Sequence, residues 1–139
     1  SLGIALPALS GSKVKVVIAI DSSGSIDGIL LSKFLSEVES IMNTFTNFEI
    51  DLLIADAKVQ EHHILYAGDE LSYNIKGGGG TNFENTFIYI DENIEDVTLL
   101  LYFTDGFGKF PQDEPNFNTV WVLTNEELDV PFGQRLYLK

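Results

Sequence analysis

The chain has 139 residues and carries 21 acidic residues against 8 Lys and Arg, which gives a net charge of −13. This length matches one domain with a single core, and an apolar content of 45% excludes the low-hydrophobicity class of disordered chains. The negative charge argues against nucleic acids and membrane surfaces as partners, because both phosphate backbones and anionic headgroups would be repelled.

The N-terminal segment contains a short apolar patch at residues 2–9. No basic region precedes this patch, and no apolar run in the sequence is long enough to cross a bilayer, so we expect neither a signal peptide nor a membrane span. Because the chain begins with Ser1 rather than Met, we expect it to be a fragment or a processed form of a longer protein. Cytoplasm is the default location that we expect for it.

A nearly continuous apolar run, VKVVIAI at residues 14–20, predicts a central strand that is buried on both faces. The small-residue loop DSSGS follows at residues 21–25, and a helix is expected after it with Asp27 as its N-cap. The helix is predicted from apolar residues at helical spacing, which are Leu30, Phe34, Val38, Ile41 and Phe45.

Two alternating segments then predict an antiparallel hairpin. The first contains Phe48, Ile50, Leu52 and Ile54, and the second reads KVQEHHIL at residues 58–65 after the short link Asp56-Ala57. The second segment is the more polar one, which is typical of an edge strand. Since neighbouring side chains of a strand point to opposite faces, we interpret His62 and His63 as solvated edge residues without a chemical role.

The second half of the chain repeats the alternation of helix and strand. A glycine run at residues 77–80 breaks the chain, and Thr81 with Glu84 forms a capping-box pattern that predicts a short helix. Buried strands are predicted at residues 97–103 and 119–123, and the tail RLYLK predicts a last short strand. One compact α/β domain is therefore expected, with a Rossmann-like, mostly parallel sheet covered by helices and bearing an antiparallel edge strand.

Polar residues follow two of the predicted strands at their carboxyl ends. Asp21 follows the first strand and Asp105 the strand at 97–103, and we expect these strands to be parallel neighbours, which brings both carboxylates to one crevice. The hydroxyls of Ser23, Ser25 and Thr81 can reach the same crevice. Oxygen donors without cysteine are typical of sites for Mg²⁺, Mn²⁺ or Ca²⁺, and two carboxylates with several hydroxyls favour Mg²⁺.

These residues resemble a known family. DSSGS matches the DxSxS motif of the metal-ion-dependent adhesion site in von Willebrand factor A domains, and Thr81 and Asp105 match its separate threonine and aspartate. The segments GGGGTNF, YFTDGFGKFP, WVLT and VPFG further resemble a bacterial von Willebrand A-like domain at the C-terminus of metal-dependent peptidase-like proteins. One departure is Asn82, where that narrower group is expected to have Asp.

The resemblance implies a von Willebrand A-like three-layer sandwich. It also implies that Ser23, Ser25 and Thr81 coordinate the cation directly or through water, whereas Asp21 and Asp105 often act through water. The implied function is a non-catalytic binding module whose cation takes an Asp or Glu carboxylate from a partner protein. The narrower resemblance allows a different role, as a scaffold or regulatory domain of a peptidase-like protein.

Other interpretations remain open from the residues themselves. Asp21, Ser23, Ser25 and Asp105 could shape turns only, and the Thr81 hydroxyl could serve the helix cap instead of a cation. The glycine run lacks the spacing of a nucleotide-binding loop. A magnesium-dependent hydrolase or phosphoryl-transfer enzyme with Asp21 as nucleophile is the enzymatic alternative, although few Lys or Arg residues lie near these motifs.

Overall fold

A six-stranded sheet forms the centre of the computed structural model, which describes residues 14–44, 48–66, 69–71, 78–124 and 128–138. The described strands are β1 (Val14–Asp21), β2 (Phe48–Ala55), β3 (Val59–Leu65), β4 (Leu99–Thr104), β5 (Asn118–Leu123) and β6 (Gln134–Tyr137). Their order is β3-β2-β1-β4-β5-β6, and every neighbouring pair is parallel except β2 and β3. The predicted mostly parallel sheet with an antiparallel edge strand is confirmed.

The two central strands were predicted to be parallel neighbours, and they are. β1 pairs with β4 from Val16 opposite Leu99 to Ile20 opposite Phe103. Residues 16–21 of β1 and all of β4 are buried, because helices cover both faces of the sheet. The predicted start of β4 at residue 97 is two residues too early, since Asp96 has a positive φ of 57° and the chain still turns there.

Two helices cover opposite faces of the sheet. In α1 (Gly28–Thr44), Phe34 and Val38 pack with the even-numbered residues of β1, whereas in α2 (Phe83–Asn93), Phe83 and Phe87 pack with Val17 and its face of the sheet. Successive strand residues point to opposite faces, so one strand serves two apolar layers. The three-layer arrangement is confirmed. Neither helix combines the length and hydropathy needed to cross a bilayer, within the residues described.

The helix starts were predicted correctly in one case and wrongly in the other. Asp27 caps α1 as expected, with its Oδ1 accepting the Leu30 N–H at 2.8 Å. For α2 the predicted capping box on Thr81 is wrong by one residue, because Asn82 is the N-cap and accepts the Asn85 N–H at 3.2 Å. Asn82 is fixed there by its bridge to Lys109 on the loop after β4. The Thr81 hydroxyl is therefore not used by the cap.

The hairpin of β2 and β3 is confirmed, but His62 is not a solvated edge residue. Its Nε2 lies 2.7 Å from Asp51 Oδ2 on β2, and its Nδ1 lies 2.8 Å from the Tyr89 hydroxyl on α2. Asp51 is buried, and its Oδ1 has no hydrogen-bond partner among the described residues. His62 therefore connects the edge strand to its neighbouring strand and to a helix, whereas His63 pairs with Glu61 on its own strand.

Several sequence predictions fall on residues outside the described ranges. These residues are the apolar patch at 2–9, Phe45 in the first helix pattern, Gly77 in the glycine run and Lys139 at the end of the tail. Residues 135–137 of the tail lie in β6, which confirms the last predicted strand, and Leu138 lies just beyond it.

Candidate metal-binding site

The carboxyl edge of the sheet brings three polar loops together. The loop at residues 21–25 follows β1, the loop at 105–109 follows β4, and the glycine loop at 78–81 leads into α2. The carboxyl ends of parallel strands meet at one edge, which is where ligands bind in open α/β sheets. The predicted site residues therefore lie on the loops that line this edge.

Asp21 is the most deeply buried of the predicted site residues, with no exposed surface. Its Oδ1 accepts the backbone N–H of Ser23 at 2.9 Å, and its Oδ2 accepts the Thr104 hydroxyl at 2.6 Å. Thr104 is also fully buried, and its Oγ1 accepts the N–H of Gly106 at 3.1 Å. Both carboxylate oxygens are thus held in a fixed orientation, and Thr104 links the loop after β1 to the loop after β4.

The surroundings of Asp21 disfavour the negatively charged form of its carboxyl group. Burial raises the pKa of Asp21 above its ordinary value of 3.8, the hydrogen bonds from Ser23 and Thr104 partly oppose the shift, and the nearby charge of Asp105 adds to it. Asp105 is itself 8% exposed, and its Oδ1 accepts the Phe107 N–H at 3.1 Å. A cation beside the two carboxylates would offset their repulsion.

The two serines of the first loop present neighbouring hydroxyls. Ser23 Oγ and Ser25 Oγ lie 3.2 Å apart, and Ser25 is exposed while Ser23 is buried. The Ser23 side chain also hydrogen-bonds to Asp21. Asp21 is thus more deeply buried than the two hydroxyls. An ion bound at the hydroxyls would be attracted by the negative charge of Asp21.

The glycine loop packs directly on the DSSGS loop. Gly24 N–H donates to Gly79 O at 3.0 Å, and Gly78 N–H donates to Ser22 O at 2.8 Å. A Cβ added at Gly24 would lie 3.0 Å from Gly78 O, so a side chain there would push the two backbones apart. The glycine backbone therefore lies directly against the loop that carries Ser23 and Ser25.

Asp56 anchors the glycine loop, although its position in the sequence suggested only a link between two strands. It follows β2 and is 6% exposed; its Oδ2 accepts the Gly79 N–H at 3.2 Å and its Oδ1 accepts the Gln60 amide at 2.9 Å. Burial would raise the pKa of Asp56, but hydrogen bonds from Gln60 and from the Lys58 and Gly79 backbone lower it below 3.8. The signal was available, since Asp56 follows an apolar strand just as Asp21 does.

Thr81 lies against the loop after β4. A Cβ added at Gly108 would lie 2.7 Å from the Thr81 methyl carbon and 2.8 Å from the Phe83 ring, so this packing requires glycine. The neighbouring Phe107 is 59% exposed, which is unusual for so large an apolar side chain. Sequence patterns gave no reason to single out Phe107, because exposure depends on how its loop turns.

The residues fit a hard cation better than a soft one. In the part of the chain that the structure describes, no three Asp, Glu or His side chains converge as a metal-binding group. An ion at this edge would therefore need hydroxyl and water oxygens beside the carboxylates, a donor set that suits Mg²⁺. The residues predicted from the sequence, which are Asp21, Ser23, Ser25, Thr81 and Asp105, all lie on the three loops of this edge.

Known structures share this fold at low sequence identity. The ArnB paralog VWA2 from Sulfolobus acidocaldarius aligns with a TM-score of 0.61 and 18% identity over 84% of this chain and 35% of that one. An aerotolerance-related membrane protein from Bacteroides fragilis, with multiple mutations to serines, aligns with a TM-score of 0.58 and 16% identity. That alignment covers 79% of this chain and 67% of the other. The chain thus spans about a third of the length of VWA2. At these identities the likeness concerns the fold alone.

Comparison of sequences gives two further results. No curated protein sequence matches the chain. The family described as VWA-like domain (DUF2201) matches residues 16–139.

Proposed function

The chain belongs to the VWA-like domain (DUF2201) family, and from this premise we propose that it is a divalent-cation-dependent protein-binding module. The VWA-like fold is often used for protein interaction, but function depends on the site rather than on the fold. The observation that carries the proposal is the buried Asp21 carboxylate, adjacent to Asp105 and behind the Ser23 and Ser25 hydroxyls.

In this proposal Mg²⁺, or alternatively Mn²⁺ or Ca²⁺, is held by Asp21, Ser23, Ser25, Thr81 and Asp105. Both oxygens of Asp21 already accept hydrogen bonds from the protein, so Asp21 contributes charge and orients Ser23 rather than facing solvent. Two carboxylates balance the charge of a divalent ion, whereas the hydroxyls add dipoles without charge. Because Asp21 acts on the ion at a distance and not as a directly bound ligand, the ion keeps much of its attraction for one more carboxylate.

The proposed partner supplies that carboxylate from an Asp or Glu side chain. Asp27 is the nearest acidic residue in sequence after the DSSGS loop, and it is committed to capping α1. The exposed Phe107 beside Asp105 offers an apolar contact next to the ion. A partner segment with an acidic residue beside an apolar one would match both features, because aromatic residues at interfaces contribute strongly to binding.

A pull-down from cells of the source organism tests the proposal. The bait is the wild-type chain in Mg²⁺ or in chelator, compared with Asp21→Ala and with the control Asp129→Ala, whose side chain is 96% exposed and pairs with Arg135. The expected result is one partner that is retained by wild type and Asp129→Ala in Mg²⁺, and lost with chelator or Asp21→Ala. A partner retained equally under all these conditions would show that binding does not use the cation.

A further inference from the structure

A second candidate surface lies away from the cation edge, between α2 and the loop at residues 111–117. These two segments form the walls of an open groove with a volume of about 700 Å³, within the range of clefts that bind ligands. Its apolar lining includes Phe87, Ile94, Val97 and Phe117, and Ile88 stands at the groove with 47% of its surface exposed. A partner could therefore bury apolar area here.

The ionisable side chains that line the groove are all acidic. They are Glu84, Asp91, Asp96, Asp113 and Glu114. Glu84 pairs with Lys109 at 3.3 Å, whereas the structure gives the other four no salt bridge to a described Lys or Arg. Four acids without a described cationic partner lie around one cleft and repel one another, and a positively charged occupant would relieve that repulsion.

We propose that this groove binds a basic amphipathic segment of a partner protein, with Lys or Arg residues beside one or two large apolar side chains. The apolar side chains would cover Ile88 and Phe117, and the basic ones would meet Asp91, Asp113 and Glu114. The same charges exclude nucleic acid and anionic lipid as occupants, because those ligands would be repelled. This surface does not use the cation, so it goes beyond the function proposed above.

A labelled synthetic peptide of Leu and Lys in an amphipathic helical pattern is the probe, and its anisotropy is measured with the wild-type chain in chelator. One comparison peptide has Ala in place of Leu, and another has Glu in place of Lys. The groove variant Asp91→Asn/Asp113→Asn/Glu114→Gln is expected to bind the probe about tenfold more weakly, with a slower association rate that depends less on salt. Ile88→Ser, which keeps every charge, is expected to weaken binding several-fold.

The matched control neutralises three exposed acids that do not line the groove, Glu39→Gln/Glu92→Gln/Glu95→Gln. It is expected to bind the probe within about twofold of wild type. Equal losses in the groove and control variants would mean that the probe responds only to total charge. Binding of the Ala peptide as tight as the Leu peptide, or no binding of the probe to wild type, would also overturn the proposal.

Discussion

Thr104→Val removes one hydroxyl from the centre of the candidate site while keeping the shape of the side chain. The hydroxyl donates to Asp21 Oδ2 at 2.6 Å and accepts the Gly106 N–H at 3.1 Å, and Thr104 is fully buried. Valine can do neither. The substitution therefore leaves a buried carboxylate and a buried N–H each without one partner.

The expected loss follows from these two contacts. A hydrogen bond to a charged group contributes about 1.5–3 kcal/mol, and a neutral one about 1 kcal/mol. The free energy of unfolding of Thr104→Val is therefore expected to be about 2.5–4 kcal/mol below wild type in cation-free buffer at neutral pH. Urea unfolding followed by circular dichroism measures this difference.

Thr119→Val is the matched control. Thr119 lies on β5 beside β4 and is 4% exposed, but its hydroxyl has no hydrogen-bond partner among the described residues. Its replacement is expected to change the free energy of unfolding by less than about 0.5 kcal/mol, or to raise it, because no buried hydrogen bond is lost. Similar losses in the two variants would show that the Thr104 hydroxyl has no special role.

The pH dependence separates the charge of Asp21 from simple packing. Burial raises the pKa of Asp21 in the folded state above its ordinary value of 3.8. Between these two values the folded state binds more protons than the unfolded state does. The stability that Asp21 contributes therefore falls as the pH rises through this window. Thr104→Val removes a hydrogen-bond donor that stabilises the charged form of Asp21, so the window extends to higher pH. The difference from wild type should grow with rising pH and shrink in acid; a constant difference would contradict this reasoning.

Two further predictions concern neighbouring contacts. Gly79→Ala is expected to weaken Mg²⁺ binding several-fold in calorimetry, because the added Cβ would lie 2.9 Å from Asp56 Oδ2. The Cβ added in Gly80→Ala would have no atom within 4 Å, so this variant should bind Mg²⁺ as tightly as wild type. Equal affinities of the two variants would show that the loop adapts freely. His62→Ala is expected to lower the free energy of unfolding by about 2 kcal/mol, since it removes the hydrogen-bond partner of the buried Asp51. An unchanged urea midpoint would count against that role.

The sheet and the positions of both aspartates could be predicted because their signals are local. The apolar run of β1 ends directly at Asp21, and Asp105 follows β4 in the same way, so pairing the two strands was enough to bring the loops together. The register of that pairing was not readable from sequence. For this reason the Thr104 contact with Asp21 was missed, although each residue directly follows a predicted strand.

The wrong predictions concern residues whose local conformation or burial depends on a segment that is distant in sequence. Thr81 and Asn82 are both good N-cap residues, and the pairing of Asn82 with Lys109 decides in favour of Asn82. His62 lies on an edge strand with a polar pattern, but Tyr89 from α2 reaches it. Neither partner is near in sequence, so no periodicity could reveal these contacts.

The stability of the chain as a function of Mg²⁺ concentration tests the cation site most directly. An ion that binds only the folded state stabilises it by about 2.7 kcal/mol at 100 times its dissociation constant. The wild-type melting temperature should therefore rise with Mg²⁺, and the rise should disappear in Asp21→Ala but persist in the exposed control Asp129→Ala. A wild-type melting temperature that does not change in saturating Mg²⁺, Mn²⁺ or Ca²⁺, or an equal rise in Asp21→Ala, would contradict the proposed site.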